Sequence, residues 1–590
     1  MVNMEKIKYF IIVWLLPFQL LLLGFISNGQ KNETFNFENI TENIVLNTDR
    51  DIYFAGEELL FSAEYFINQS RANTLISNVI YVELINCAEK NPVVQEKYEI
   101  IDFNSNGAIK IPKDIPSGNY VLRAYTQYQR YFGMLTFSYH FILILNVENN
   151  NNAFKIGATA ESDIIVKQVN GEGIPKAFPK TETTDILIET DKNRFVTRDN
   201  VNAHISVKNN SMSDLPVVSV AVIKLGTKLE NHNYIHKDFL AEQMNNVQTP
   251  SIKYIPEIRS LTISGILLNK VTQQLVSDKN IFLSVPFNYP QLHVCKSRED
   301  GSFIFTLNNV RGINDIFLCP ENAEDDDYEI LISNPFESEI PNFGKIPAFV
   351  DSSAIELINE MYLNAQISQK FHSKPEEKSL QRERKNTFNI DNGKSTTLLS
   401  DFVTLKNMEE LFTEIVPTAK YRKNREQYSF AIFDSKGNIT SENPLILLDK
   451  IPVFDANKIM GLDISLIEKV EVINRNYILG ENTFNGVIML TTKTKNFAGI
   501  EFPKSSIFIE YPTIQKSDDI DFSTGKNLPK DKRIPDFRTT LYWNPKVQML
   551  QNGNEITFQT SDSKGIYDII IKGFSTDGKP FYGRKQIVVE

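Results

Sequence analysis

Asn43 to Ile67 reads NIVLNTDRDIYFAGEELLFSAEYFI, and this stretch decides the fold class. Two runs of alternating apolar and polar residues flank Ala55-Gly56-Glu57-Glu58. Alternation with a period of two marks strands with one buried face. A glycine at 56 can take the positive φ of a tight turn. NVIYVELIN (78–86) continues the pattern, with Val79, Tyr81, Glu83 and Ile85 on one face and Ile80, Val82 and Leu84 on the other. The second face is cleanly apolar, so it is the one expected to be buried. IPSGNYVLRAYTQY (115–128) supplies a Pro-Ser-Gly turn and another alternating strand, and YHFILILNV (139–147) closes a β-sandwich over 40–147.

The same signature returns downstream. Ile186 to Asn209 reads ILIETDKNRFVTRDNVNAHISVKN, in which Thr190-Asp191-Lys192 with Phe195 echoes Thr48-Asp49-Arg50 with Tyr53. VVSVAVIKL (217–225) completes a second, smaller sandwich over 183–226, after a polar linker from Asn149 to Lys180. A third sandwich is expected over 257–334, from LTISGILLN (261–269), SREDGSFIFTLNNV (297–310) and NDIFLCP (314–320). Asp351 to Phe371 is the best helix, capped by Asp351 or Ser352 with apolar residues at Ile355, Ile358, Met361, Leu363 and Ile367. With the charged linker behind it, it fills 351–397. A small α+β unit follows over 398–497, with an amphipathic helix at 405–417 and an apolar run FNGVIMLTTK (484–493) read as a central strand. The remainder, 503–590, reads as one more β-unit: TLYWNPKVQM, NEITFQTS, GIYDIIIKGFS and KPFYGRKQIVV, with a hairpin turn at Asp577-Gly578. The expected fold is mainly β: tandem immunoglobulin-like sandwiches, then the small α+β unit and a C-terminal β-unit.

Composition agrees. Phe 40 and Tyr 22 against Trp 2 suit pleated, half-buried surfaces, and 590 residues suggest several cores. A net charge of -11 argues against a nucleic-acid partner. Residues 1–29 read as a signal peptide: Lys6 and Lys8 precede an apolar stretch from Tyr9 to Ile26, with Gln30 a plausible new N-terminus and an uncleaved anchor the alternative. No later run reaches the ~18 apolar residues of a spanning helix, so no transmembrane segment is expected in the mature chain.

Several segments resemble known families. Asp49, Tyr53, Gly56 and Glu57, with Pro116, Ser117, Gly118, Tyr120, Leu122, Arg123, Ala124 and Tyr125, resemble the macroglobulin-type β-sandwich of exported Bacteroidetes proteins. Ser264-Gly265 and Asp300-Gly301-Ser302-Phe303-Phe305 resemble a carboxypeptidase regulatory-like domain, which has no peptidase centre. PLILLDKIPV (444–453) and FNGVIMLTTK resemble the two ends of a TonB-dependent receptor plug; Asp449, Pro452, Ile467, Val470, Val472, Gly480, Asn485, Gly486, Val487, Ile488 and Thr491 match, whereas Lys450 stands where that family commonly has Gly. The residues after it are too few for the family's barrel of more than twenty strands at ~10 residues each. LYWNP at 541–545 is similar to the last module of the same long proteins.

Chemical motifs are sparse. GxSxG, HExxH and the phosphate loop are absent. The macroglobulin thioester needs Gln three residues after Cys; Cys87, Cys295 and Cys319 have Lys90, Arg298 and Asn322 there, so the resemblance implies fold and not protease trapping. Cys295 and Cys319 either pair or stay free thiols. His232 and His236 suit a loop better than a metal site, and Glu324-Asp325-Asp326-Asp327 a solvated turn. The adjacent carboxylates Glu57-Glu58 and Glu409-Glu410 point apart. No catalytic, cofactor-binding or metal residue is assigned, and no cofactor is expected. The expectation is a non-enzymatic exported envelope protein, in the periplasm or at the outer membrane, scaffolding or binding an envelope partner. The alternatives are an accessory component of TonB-linked nutrient uptake and a hydrolase with an unrecognised site.

Overall fold

The computed structural model describes residues 40–68, 74–146, 185–208, 215–227, 254–324, 327–343, 358–364, 366, 394–402, 405–433, 439–515 and 535–590. The signal segment, the linker from Asn149 to Lys180, His232, His236 and most of 351–397 lie outside them. Where the expected helix is described, 358–364 is helical.

The first sandwich is contiguous. Its strands are β1 (Glu42–Thr48), β2 (Ile52–Phe54), β3 (Glu58–Ile67), β4 (Val79–Asn86), β5 (Asn91–Glu99), β6 (Asn104–Lys110), β7 (Gly118–Tyr125) and β8 (Ser138–Leu145). One sheet runs β1-β3-β6, and the other runs β2-β8-β7-β4-β5 with β2 parallel to β8. Leu46, Phe61, Ile80, Val82, Leu84, Leu122 and Ile144 meet in the core between them. Helix α1 (Gln127–Phe132) is set by Thr126, which accepts from Gln129 N while the Gln129 side chain accepts from Thr126 N, a reciprocal cap.

The chain then lays down half of a second sandwich: β9 (Ile186–Thr190), β10 (Arg194–Phe195), β11 (Asn200–Val207) and β12 (Val217–Lys224). It leaves that half incomplete and builds a third: β13 (Thr262–Asn269), β14 (Asn280–Val285), β15 (Gln291–Lys296), β16 (Ser302–Thr306), β17 (Ile313–Pro320) and β18 (Tyr328–Ile332). The third is interrupted in turn by the α+β unit. This comprises β19 (Lys394–Leu398), α2 (Met408–Glu410) continued by a wider turn to Ile415, β20 (Ala419–Asn424), β21 (Gln427–Phe433), β22 (Ile439–Glu442), β23 (Leu445–Leu448), β24 (Ile451–Pro452), α3 (Ala456–Met460), β25 (Ile467–Ile473), β26 (Tyr477–Leu479), β27 (Asn482–Phe484) and β28 (Val487–Thr492). Only then does β29 (Ile507–Pro512) finish the third sandwich, and β30 (Thr540–Gln548), β31 (Asn554–Gln559), β32 (Gly565–Phe574) and β33 (Pro580–Val589) finish the second.

The sheets prove this nesting. The second sandwich pairs β31-β11-β9 against β10-β33-β32-β12-β30, so each sheet mixes strands from both ends of the insertion. β12 pairs with β32 over its whole length, from Val217 opposite Phe574 to Lys224 opposite Tyr567. The segments 183–226 and 503–590 are therefore not two units, as the sequence suggests. Residues 535–590 complete the second sandwich, and β29 belongs to the third, whose sheets run β16-β13-β18 and β15-β14-β17-β29. Buried on both sides, β12 requires a neighbour at each edge, and the 183–226 segment has none to give.

In the α+β unit the main sheet runs β19-β25-β28-β23-β24, which puts β28 at its centre. One face packs on Met408, Phe412, Ile459 and Ile464; the other, through Leu445, Leu447, Val487 and Met489, packs on Phe282, Leu292 and Val294 of the third sandwich. Among the described residues no sheet closes into a barrel, and no helix is long and apolar enough to cross a membrane.

Candidate functional site

A set of buried ionisable groups lies where the first sandwich meets the third. Alternation along β4 and β7 sends Leu84 and Leu122 into the core and Glu83 and Arg123 outward, directly opposite each other in register. That outward face is not solvated, contrary to the one-faced burial expected for β4: Glu83 and Arg123 are both 0% exposed. Arg123 Nη2 and Nε lie 2.6 and 2.7 Å from Glu83 Oε2. Its remaining donors reach Glu339 O (2.7 Å) and Glu337 O (2.9 Å) on the segment following β18. Burial pulls the guanidinium's pKa down, and the Glu83 carboxylate more than offsets it. Arg130, on α1, adds Pro335 O (2.9 Å), Phe336 O (3.2 Å) and the Glu337 carboxylate (3.3 Å), and stacks on Tyr254 at 4.1 Å. Charge-assisted bonds to carbonyls in a dry seam fix geometry strongly.

Lys97 and Glu257 lie in the same seam. The Lys97 amine donates to Pro512 O (2.9 Å) and Tyr511 Oη (3.3 Å) and sits over the Tyr511 ring at 4.3 Å. Glu257 Oε1 accepts from Thr262 N (2.7 Å), Thr262 Oγ1 (2.8 Å) and Tyr81 Oη (3.1 Å), while Oε2 is buried without a partner. Burial, partly countered by Glu257, pulls Lys97 down to about 7; burial, partly countered by the Thr262 bonds and Lys97, pushes Glu257 up to about 7. Burial thus opposes the charged form of both groups inside a joint between modules.

The second joint, between the two like sandwiches, is built around Asp49, Arg50 and Tyr53 of the first. Tyr53 Oη donates to Asp49 Oδ1 (2.6 Å), Thr540 Oγ1 donates to Asp49 Oδ2 (2.7 Å), and Arg50 Nη2 is 3.0 Å from Glu57. Asp51 N and Ile52 N donate to Thr227 O (2.9 and 3.1 Å). A bulge skips Leu541 in the β12–β30 register, so Leu541 faces the core while Trp543 turns outward with Ala221 and Ile570 onto Leu60.

The remaining sequence candidates fall apart spatially or turn out to be structural. Cys295 is opposite Ile281 and Cys319 opposite Phe282, on strands flanking β14, so they occupy opposite faces; all three cysteines are free. Burial pushes each thiol up to about 12, which leaves them unreactive. Glu57 accepts from Phe54 N, whereas Glu58 is exposed; Glu409 accepts from Tyr428 Oη and Glu410 from Lys406 N. Gly265 explains its motif: a Cβ there would sit 2.4 Å from the Phe303 ring. Among the described residues no three His, Cys, Asp or Glu side chains gather to hold a metal. Lys97 and Glu257 had no sequence signal beyond a charge inside an alternating strand and another before one.

No protein-family model matches the chain, and no curated protein matches it either. Among solved structures, it is similar to Salmonella alpha-2-macroglobulin mutant Y1175G at 8% identity and TM-score 0.23, over 93% of this chain and 39% of that one. It is similar to trypsin-activated alpha-2-macroglobulin from Escherichia coli at 8% identity and TM-score 0.24, over 93% and 41%. It is also similar to the Yersinia pseudotuberculosis adhesin InvE at 9% identity and TM-score 0.12, over 49% and 58%. The chain spans about two fifths of the macroglobulin chains it matches. Superpositions this shallow carry no argument about activity, and the sandwich architecture rests on strand order and register.

Proposed function

We propose that this chain is a non-enzymatic, exported scaffold or binding protein of the bacterial envelope, with its α+β unit docking on an outer-membrane partner. One observation carries the reading. Five deeply buried charged groups, Glu83, Arg123, Arg130, Lys97 and Glu257, lie in the joint between the first and third sandwiches. Burying charge is costly unless it is paired, and here the pairing orients one sandwich against the next. A chain built this way presents a fixed surface to a partner. The plug-like and macroglobulin-like residues support an envelope location by resemblance.

The test is membrane fractionation of cells expressing the full chain, followed by crosslinking and capture. The expected result is recovery with the outer membrane together with a specific envelope protein. Purified protein that turns over ester, peptide or glycoside substrates, or that partitions to the cytosol without a crosslinked envelope partner, overturns the proposal.

A further inference from the structure

The third sandwich leaves one strand edge open. In the sheet β16-β13-β18, β18 pairs with β13 from Gly265 opposite Ile332 to Asn269 opposite Tyr328, without a register shift. Ser333 N donates to Ser264 O at 2.9 Å, so the N–H and C=O groups of Leu331 and Glu329 also face β13. Those of Ile330 and Ile332 point the other way, where among the described residues no strand pairs with β18. Tyr328 N, on that same side, donates to Ser505 Oγ (3.1 Å), which closes the edge at its N-terminal end.

Outer strands elsewhere in the molecule are blunted. β5 carries Pro92 and a register shift, β30 carries Pro545 and two shifts, and the β21–β22 pair is bulged. Such devices keep an edge from joining a strand of another molecule. β18 reads Tyr328-Glu329-Ile330-Leu331-Ile332, with no proline, lysine or bulge.

The outward sheet face beside this edge is apolar. Leu331 stands opposite Ile266, Ile304 opposite Ser264, and Leu275 is bridged to Leu268. Leu331, Ile266 and Leu275 are 45%, 37% and 54% exposed. On this face the three strands carry a single charged residue, Glu329, which accepts from Gln273 Nε2 at 3.1 Å. Contiguous exposed apolar surface marks an interaction site. Two copies of a chain of net charge -11 repel each other, so a contact between copies is favoured where charge is sparse.

We propose that two copies of this chain pair antiparallel through β18, about a twofold axis at Leu331. The N–H and C=O of Ile330 in one copy then meet those of Ile332 in the other, on both sides of the axis. Leu331 faces its own copy at a close, non-hydrogen-bonded position, and the apolar faces of the two sheets run together. Glu329 falls opposite Ser333, so no like charges are opposed along the strand. An axis at Ile330 instead requires Tyr328 N, which Ser505 already engages.

Sedimentation velocity of the full chain at about 1–100 μM should show a concentration-dependent equilibrium between monomer and dimer. Leu331→Lys should weaken the dimer about tenfold or more. Its melting should be unchanged, because Leu331 lies outside the core. Val196→Lys, at another exposed apolar position on the second sandwich, should leave association as in wild type. Cysteine crosslinking reads the register. Leu331→Cys should give an oxidised dimer by itself, whereas Glu329→Cys and Ser333→Cys should crosslink when mixed and not alone. A chain that stays monomeric at about 100 μM overturns the proposal, and so does a dimer that Leu331→Lys leaves intact. A monomeric chain whose Leu331→Cys variant crosslinks to a different envelope protein assigns the edge to that protein and overturns the pairing of copies.

Discussion

The first and second sandwiches follow one strand plan and differ in where the chain is allowed to wander. Sheet β1-β3-β6 corresponds to β9-β11-β31, and β2-β8-β7-β4-β5 to β10-β33-β32-β12-β30. Each even carries a short parallel strand, β2 on β8 and β10 on β33. Between the fourth and fifth strands, the first sandwich has only the turn 87–90, whereas the second has everything from Leu225 to Thr539. The insertion is tolerated because its ends meet: Lys224 N donates to Thr539 O at 2.9 Å. Closing a long excursion costs entropy that grows only slowly with length, and a folded insertion with adjacent ends costs less. The third sandwich repeats the device for the α+β unit between β18 and β29.

The sharpest way to break this comparison is to cut the chain before residue 535. β12 then loses both neighbours and β11 loses β31. The second sandwich should lose its entire folding free energy, about 5–15 kcal/mol for a domain, while the first is retained. Hydrogen exchange reads both at once: protection of Val217–Lys224 vanishes and that of Val79–Asn86 persists. Continued protection of β12 in the truncated chain refutes the shared sandwich.

A second test exploits matched positions. Counted from the first residue of β4 and of β12, Glu83 corresponds to Ala221, and their partners in register are Arg123 and Ile570. The same outward position thus holds an ion pair where the first sandwich meets the third, and an apolar pair where the second meets the first. Arg123→Ile alone strands the Glu83 carboxylate and should cost about 3–5 kcal/mol by denaturant unfolding. The double variant Glu83→Ala/Arg123→Ile should recover most of that loss. Additive losses in the double variant would mean that the pair is not coupled.

The seam's titration comes next in size. Glu257 has a raised pKa when folded, so its contribution is full below 4.5 and is lost as pH rises to about 7. Lys97 has a lowered pKa, so its penalty is full below about 7 and disappears as pH rises towards 10.5. Relative to wild type, Glu257→Gln should gain stability between pH 4.5 and 7, and Lys97→Met should lose that advantage between 7 and 10.5. Each change is about 3–5 kcal/mol at most. Parallel pH profiles for wild type and both variants would place these groups in solvent.

Legibility followed the range of the interaction. Alternation in Asn43–Ile67 located β1 to β3, and the echo of Thr48-Asp49-Arg50 in Thr190-Asp191-Lys192 pointed to the common strand plan, because both are local patterns. Periodicity does not say which strand lies beside which, so β12 seemed to complete a sandwich that β30 and β32 complete from far down the chain. Glu83 marked its face as solvated only because its partner Arg123 was read as a separate alternation. The SG and DGxFxF residues were visible as a motif, yet their cause, Phe303 passing over Gly265, is a cross-strand contact. Lys97 and Glu257 meet across modules and left no local trace.

The smallest expected effect tests whether the like sandwiches dock through their faces in solution. Phe66 on β3 and Phe574 on β32 meet edge to face, with centroids 5.3 Å apart and planes at 70°. Edge-to-face pairs contribute about 0.5–1.5 kcal/mol beyond their burial. In a double-mutant cycle with Phe66→Leu and Phe574→Leu, that coupling should appear as non-additivity. Because the rings belong to different sandwiches, intradomain packing cannot produce it, and strict additivity would mean that the two modules are undocked along this edge.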